Sequence, residues 1–297
     1  MTDSMTDWHA IAAAITDLSG QPCQAGTHQE VGGGCINRAY ALRAGERTWF
    51  VKLNRATGLE MFLAEAAGLR ALAACGAIRV PRPLGAGLAG GEAYLVMEHI
   101  AFGRPRREAA AEAGRRLAQL HRQTQDRFGW ERDNYIGSTP QANDPDPDWA
   151  RFWRERRLGP QFDLALAKGH GGRLQDRGRR LMVDCGALID HRPPPALLHG
   201  DLWGGNLGYD AAGEPVLFDP AVYFGDREAD LAMTELFGGF GVDFQAAYRE
   251  AWPLDPGYAV RRDLYNLYHV LNHLNLFGAG YLSQAQGMID RLLAAIR

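Results

Sequence analysis

The stretch Leu198-His199-Gly200-Asp201-Leu202-Trp203-Gly204-Gly205-Asn206 is followed, after a short turn, by Val216-Leu217-Phe218-Asp219-Pro220. Phosphoryl transfer from ATP needs a carboxylate near the attacking hydroxyl and oxygen ligands for Mg2+ around the phosphates. Asp201 and Asn206 have the Asp-x-x-x-x-Asn spacing of a kinase catalytic loop. Asp219 ends an apolar strand, where a loop carboxylate can reach the same metal. A chance triple of polar residues in turns is the alternative for this segment taken alone.

The chain has 297 residues, long for one core and comfortable for two lobes. An apolar fraction of 46% and a charged fraction of 23% describe an ordinary globular protein. Net charge is −3, so no global charge argues for nucleic acid or an anionic membrane, and any pull on ATP must come from a local cluster of donors. No apolar run reaches the roughly 18 residues that span a bilayer. The segment Met1–Trp8 has neither the basic nor the apolar region of a signal peptide. Cys23, Cys35, Cys75 and Cys185 form no Cys-x-x-Cys pair and are too few for a disulfide framework. A reducing, cytoplasmic location without structural zinc is the expectation.

Apolar spacing predicts a helix over Thr6–Leu18, short strands over Arg38–Leu42 and Thr48–Leu53, and a helix over Met61–Ala74. Val80–Pro83 reads as an extended connector and Ala93–Met97 as a buried strand. Beyond Arg106 helical patterns dominate: Glu108–Thr124, Trp149–Ala167, Gln175–His191, Asp226–Phe237, Phe244–Ala251, Val260–Phe277 and Ser283–Ile296. Short strands around Leu207–Tyr209 and Pro215–Phe218 interrupt them. The layout is α+β: a small β-rich lobe over 1–98, a hinge over 99–103 and a larger helical lobe over 104–297. That is the arrangement of a protein-kinase-like fold.

Gly32-Gly33-Gly34-Cys35-Ile36-Asn37 lies between two predicted strands. Its glycines let backbone amides approach phosphate oxygens, although a glycine-rich hairpin turn reads the same way. It is neither a Walker A sequence nor a full Gly-x-Gly-x-x-Gly loop. Lys52 sits in the apolar run Trp49–Leu53, where burial is costly without a partner. It either protects an edge strand or holds the ATP phosphates. In the second case Glu65 is its favoured ion-pair partner, flanked by small Ala64, Ala66 and Ala67, with Glu60 as the rival. Met97-Glu98-His99 ends the buried strand at the hinge, where backbone groups could meet an adenine edge.

With these parts placed, the chain resembles the fructosamine kinase (ketosamine-3-kinase) family over nearly its whole length. The resemblance is carried by Gly32–Asn37, Asp133–Gln141, Leu198–Asn206, Phe218–Ala221, Tyr223–Gly225, Glu228–Met233, Leu236–Phe240 and Tyr268–Asn272. It implies ATP and Mg2+ as cofactors and a ketosamine substrate, free or on a protein lysine, phosphorylated at its 3-hydroxyl. Ribulosamine, erythrulosamine and fructosamine adducts all fit, with a lean toward the first two. A phosphate at C3 is a leaving group once the C2 carbonyl is in its enol or enamine form, and elimination then releases the amine. A kinase of the same fold acting on an aminoglycoside or choline is the alternative.

By the resemblance, Asp201 orients the sugar hydroxyl and accepts its proton, and Asn206 with Asp219 binds Mg2+. Lys52 and Glu65 position the phosphates, and Gly33, Gly34, Cys35, Ile36 and Asn37 cover them. Trp203 looks like a stacking wall for the acceptor, with a packed anchor for the catalytic loop as the other reading. His199 and Asp230 read as braces of that loop. His269, Asn272 and His273 share one helix face and read either as a polar wall of the acceptor site, with His273 touching substrate, or as satisfied core groups. Asp219-Pro220-Ala221 replaces Asp-Phe-Gly and no Ala-Pro-Glu follows, which argues against an activation segment. Cys35, among amides and near Lys52, suggests a redox-sensitive thiol. The chain is then a monomer or a dimer linked through Cys35; a small residue tolerated for its size is the plain alternative.

Overall fold

The computed structural model describes residues 6–32 and 36–296, so Gly33, Gly34 and Cys35 lie outside the described residues. The chain forms two compact units, Met1–Arg106 with Gly208–Phe218, and Arg107–Leu207 with Asp219–Arg297.

In the first unit, α1 (Trp8–Ser19) begins at Asp7, whose carboxylate accepts the Ala10 amide at 3.0 Å. It ends at Gly20, left-handed at φ 66, whose amide reaches the Thr16 carbonyl. There follow β1 (His28–Glu30), β2 (Arg38–Ala44), β3 (Arg47–Arg55), α2 (Leu59–Cys75), β4 (Pro83–Ala89) and β5 (Glu92–Glu98). The strands form one antiparallel sheet in the order β1-β2-β3-β5-β4. Side chains alternate across a strand. Val51 and Leu53 of β3 therefore join Ile11, Ile15, Leu42, Tyr94 and Val96 in one core, and Lys52 between them faces the other way. Because β3 is central, the edge-strand reading of Lys52 falls. The Pro83–Ala89 strand was hidden by its small residues, and its pairing with β5 reveals it.

The second unit opens with α3 (Ala109–His121), the hairpin β6 (Asn134–Ile136) and β7 (Thr139–Gln141), and α4 (Trp149–Phe152). Next come α5 (Gly159–Ala167), α6 (Arg173–Asp184) and β8 (Ala196–Leu198). Between β8 and β11 in sequence lies the hairpin of β9 (Leu207–Tyr209) and β10 (Pro215–Leu217), which groups with the first unit, and β11 (Tyr223–Gly225) pairs with β8. The unit closes with α7 (Glu228–Leu236), α8 (Val242–Ala251), α9 (Tyr258–Phe277) and α10 (Leu282–Ala295). Its core includes Trp149, Phe152, Trp153, Leu264, Tyr265, Tyr268 and Leu271, with α9 packed against α5, α7 and α10. Among the described residues, no helix is long and apolar enough to cross a membrane.

Two features differ from expectation. The β9–β10 hairpin groups with the first unit, because the Leu217 amide donates to the Arg79 carbonyl at 2.9 Å and Gly103 to Tyr209 at 2.8 Å. Arg79 also pairs with Asp210 in the hairpin turn at 2.5 Å. The division of the chain accordingly falls at Arg106–Arg107 rather than within 99–103. The second difference is a six-residue π-helical turn, Trp153–Leu158, between α4 and α5. It carries Arg157, which is 0% exposed and donates to the Ala142 carbonyl and Asn143 Oδ1, each at 2.7 Å. The guanidinium lies 4.0 Å from the Tyr223 ring centre. Carbonyl acceptors and ring faces here do the work of a carboxylate partner.

The β6–β7 hairpin is tied to the segment after Asp219. Asn134 Nδ2 donates to the Val222 carbonyl at 2.6 Å, and Gln141 Nε2 donates to the Ala221 carbonyl at 3.2 Å. Tyr268 of α9 donates to Gln141 Oε1 at 2.7 Å. The motif at 133–141 thus fixes the chain leaving Asp219.

Candidate active site

Within the first unit, Lys52 Nζ lies 2.7 Å from Glu65 Oε1, with Lys52 only 6% exposed. Glu60, the rival, is in the first turn of α2, and the pair with Lys52 is made by Glu65. One and a half further turns of helix place Glu65 over the face of β3 that carries Lys52. A buried ammonium stays charged only with such a partner. Asn54 of β3 donates to Asn37 Oδ1 at 2.7 Å, anchoring the end of the glycine-rich segment to the lysine strand. Ile36 beside it is 38% exposed.

Met97 is buried in β5, and the Glu98 amide donates to the Arg82 carbonyl at 2.8 Å. That donor is therefore committed within the unit, and His99 is the first residue past the strand. The Glu98 carboxylate accepts from Arg79 at 2.7 Å and from the Arg82 amide at 3.3 Å. Its side chain is thus engaged within the unit. Arg79, which joins Glu98 to Asp210, was not singled out by sequence reasoning.

Within the second unit, the loop from His199 to Asn206 is fixed by its backbone. Asp230 of α7 accepts the His199 amide at 2.7 Å and the Gly200 amide at 2.9 Å. His199 Nδ1 accepts the Asp201 amide at 3.3 Å, and the Ala221 amide donates to the His199 carbonyl at 2.8 Å. Gly200 has φ +82, and a Cβ there would lie 2.0 Å from the Ala221 carbonyl oxygen. Leu202 is fully buried and anchors the loop from below. These contacts set the direction of the Asp201 side chain.

Asn206 Nδ2 donates to the Asp201 carbonyl at 2.8 Å and lies 3.3 Å from Asp201 Oδ2 and 3.4 Å from the Asp219 carbonyl. Asp219 holds φ 56, the one positive φ outside glycine among the described residues. Desolvation pushes the Asp201 carboxyl up to about 7, the Asp219 charge adds to this, and the Asn206 amide opposes it. The Asp201 carboxylate, beside the Asp219 charge, fits a divalent cation, which would relieve that repulsion. With its amide nitrogen turned to Asp201, Asn206 keeps its Oδ1 as a hard oxygen donor.

Trp203 is 41% exposed, and its ring lies over Gly205, where a Cβ would come within 2.2 Å of it. One face is thus an anchor and the residue still presents surface to solvent. Gly204 meets Gly239 backbone to backbone, a Cβ on Gly204 falling 2.8 Å from the Gly239 Cα. This contact sets the catalytic loop beside the segment after α7. Phe237 there packs against His273 with the rings tilted by 42° and centroids 4.6 Å apart. The half-buried His273 donates from Nδ1 to the His269 carbonyl at 2.8 Å, and burial lowers its pKa. His269 is buried, with its pKa pushed down to about 3 by desolvation, and Asn272 lies between Gln161 and the Ile136 carbonyl. His269 and Asn272 are core groups, and among the three only His273 keeps partial exposure.

A separate cluster of His191, Asp226 and Glu228 has metal-like spacing. Its oxygens are already engaged: Arg261 grips Glu228 at 2.7 and 3.1 Å, and Tyr265 donates to Asp226 at 2.6 Å. It braces α7 and α9.

The Lys52–Glu65 pair and the Asp-x-x-x-x-Asn loop are those of a phosphotransferase of the protein-kinase-like fold. The chain belongs to the fructosamine kinase family, whose model matches residues 7–295. It is 48% identical to the "Probable ketoamine kinase" of Synechocystis over 98% of both chains. It is 46% identical to the chloroplastic protein-ribulosamine 3-kinase of Arabidopsis thaliana, over 90% of this chain and 82% of that one. A crystal structure of a candidate fructosamine-3-kinase from Haemophilus somnus superposes with a TM-score of 0.89 at 31% identity, covering 96% of this chain and 97% of that one. An aminoglycoside phosphotransferase in complex with ADP and hygromycin B reaches a TM-score of 0.63 at 14% identity, a likeness of fold alone.

Replacing Gly200 with Ala is expected to lower turnover by more than about tenfold while the fold persists, because the new methyl must displace the Ala221 carbonyl or the loop. Steady-state kinetics beside a circular dichroism spectrum check this; wild-type turnover would show that the loop geometry has slack.

Proposed function

We propose that this protein is an ATP-dependent kinase that phosphorylates the 3-hydroxyl of ketosamines, ribulosamine and erythrulosamine adducts ahead of fructosamine ones, and so leads to deglycation. The observation that carries the reading is the hold on Asp201: backbone bonds on both sides of it and the Asn206 amide against its carboxylate. A carboxylate so restrained can orient a sugar hydroxyl and accept its proton without first reorganising. The relatives named ketoamine kinase and protein-ribulosamine 3-kinase, matched over most of their length, support the substrate class.

In this reading Lys52, held by Glu65, binds the α- and β-phosphates, and the segment Gly33–Asn37 covers them. Backbone groups at Met97–His99 meet the adenine edge; since the Glu98 amide is engaged, the contact falls to the Glu98 carbonyl and to His99. Asn206 and Asp219 would hold Mg2+, which supplies neutralising charge to the phosphates. Trp203 and His273 flank the acceptor. The raised pKa of Asp201 without a cation suits a group that must take up a proton.

The decisive variant is Asp201→Asn, expected to cut kcat by about 10²–10⁴-fold with ATP binding retained. A variant keeping more than half of wild-type kcat would remove Asp201 from the mechanism. In the same assay Trp203→Ala is expected to raise KM for the ketosamine well above any change in KM for ATP. Equal changes in both would leave Trp203 as an anchor only. The redox reading of Cys35 rests on sequence. Peroxide should inactivate wild type reversibly and spare Cys35→Ser, and equal sensitivity of the two would end it.

A further inference from the structure

Behind the catalytic loop runs a chain of buried polar groups that the mechanism above does not use. His121, the last residue of α3, is 0% exposed. Its Nε2 lies 3.2 Å from Asp230 Oδ2, the same oxygen that accepts the His199 amide. Its Nδ1 lies 2.8 Å from the Tyr248 hydroxyl of α8. That hydroxyl also receives Arg227 Nη1 at 3.3 Å. Arg227 is 4% exposed, donates onward to the Pro253 carbonyl at 2.6 Å, and stacks on Trp252 with its guanidinium 4.3 Å from the ring centre.

The direction of each bond follows from the donors available. Arg227 can only donate, so the Tyr248 oxygen accepts from it. Burial keeps Tyr248 protonated, and its hydrogen points to His121 Nδ1. With Nδ1 accepting, the imidazole carries its hydrogen on Nε2, facing Asp230. Asp230 is held ionised, its pKa lowered by the His121 bond and by backbone donors against the cost of burial. α3, α7 and the segment after β8 thus meet on one carboxylate, and α8 reaches it through His121.

We propose that His121 is a positioning residue for phosphoryl transfer: the Arg227–Tyr248–His121 relay fixes the imidazole tautomer that aims Asp230 at the His199 and Gly200 amides, and so sets Asp201. This rests on Asp201 being the catalytic carboxylate. His121 touches no substrate, so its loss acts on kcat and leaves the binding of both substrates in place.

The test compares His121→Gln, whose amide nitrogen can replace the Nε2 donor, with His121→Leu, which cannot donate. His121→Leu is expected to lose about tenfold or more in kcat, with KM for ATP and for ribulose-lysine within about twofold of wild type. His121→Gln should stay within about threefold of wild-type kcat. Equal losses in both, or wild-type kcat in His121→Leu, would overturn the proposal. Should His121→Leu not fold, Tyr248→Phe decides, since it removes one hydroxyl at the far end of the relay. Nitrogen-15 spectra of labelled histidine should show His121 protonated at Nε2 alone in wild type, identified by the signals missing from His121→Gln. Tyr248→Phe should change that pattern and lower kcat; an unchanged tautomer and kcat would overturn the relay. The spectra need no substrate. A wild type idle on every ketosamine would count against the proposed reaction, while the tautomer would still support or overturn the relay.

Discussion

The Asp230 carboxylate accepts two consecutive backbone amides, from His199 and Gly200, and a third donor from His121. Removing a charge from water is costly, and three donors on one carboxylate offset that cost. Much of the second unit is arranged around this point. The α7 helix must be close enough to β8 to deliver Asp230, and Gly200 must be glycine because its left-handed turn brings it against Ala221. Deleting the Asp230 carboxylate would leave two buried amides without acceptors, so the loop and the core beneath it stand together.

The first unit solves a parallel problem. An ammonium in the middle of a five-stranded sheet is unfavourable until a helix supplies a carboxylate. The small residues of α2 let it approach the sheet, and the period of the strand turns Lys52 away from the apolar core shared by Val51 and Leu53. The same alternation that buries one face thus presents Lys52 on the other. The Arg79 bonds to Glu98 and Asp210 carry the charged framework from β5 into the 208–218 hairpin.

The main helices and the longer strands were legible because they repeat over several turns or pairs of residues. The α2 helix and the β2–β3 pair show this plainly. The three-residue strands β6, β7, β8 and β11 are too short to carry a period, and β4 is built from small residues and prolines that read as a connector. Asp201, Asn206, Asp219 and Lys52 were visible because their chemistry is spaced along the chain. Lys52 lies 2.7 Å from Glu65, and Asp230 and His199 each bond the backbone of the loop. His121 and Arg157 were not visible. Their partners Asp230, Tyr248 and Tyr223 lie far away in sequence, and a lone histidine at a helix end or an arginine in a charged run has no local signature. The π turn that buries Arg157 likewise leaves no mark on an otherwise continuous helical pattern.

The central claim is that the restrained Asp201 serves a ketosamine 3-hydroxyl. Phosphorus NMR of the product formed from ATP and ribulose-lysine tests it most directly, with kanamycin and choline as parallel acceptors. The account predicts one new phosphate ester, coupled to the C3 proton of the sugar, followed by inorganic phosphate as the amine is released, and no ester on kanamycin or choline. Phosphate on either of those acceptors with none on the ketosamine, or an ester at a different sugar carbon, would contradict it.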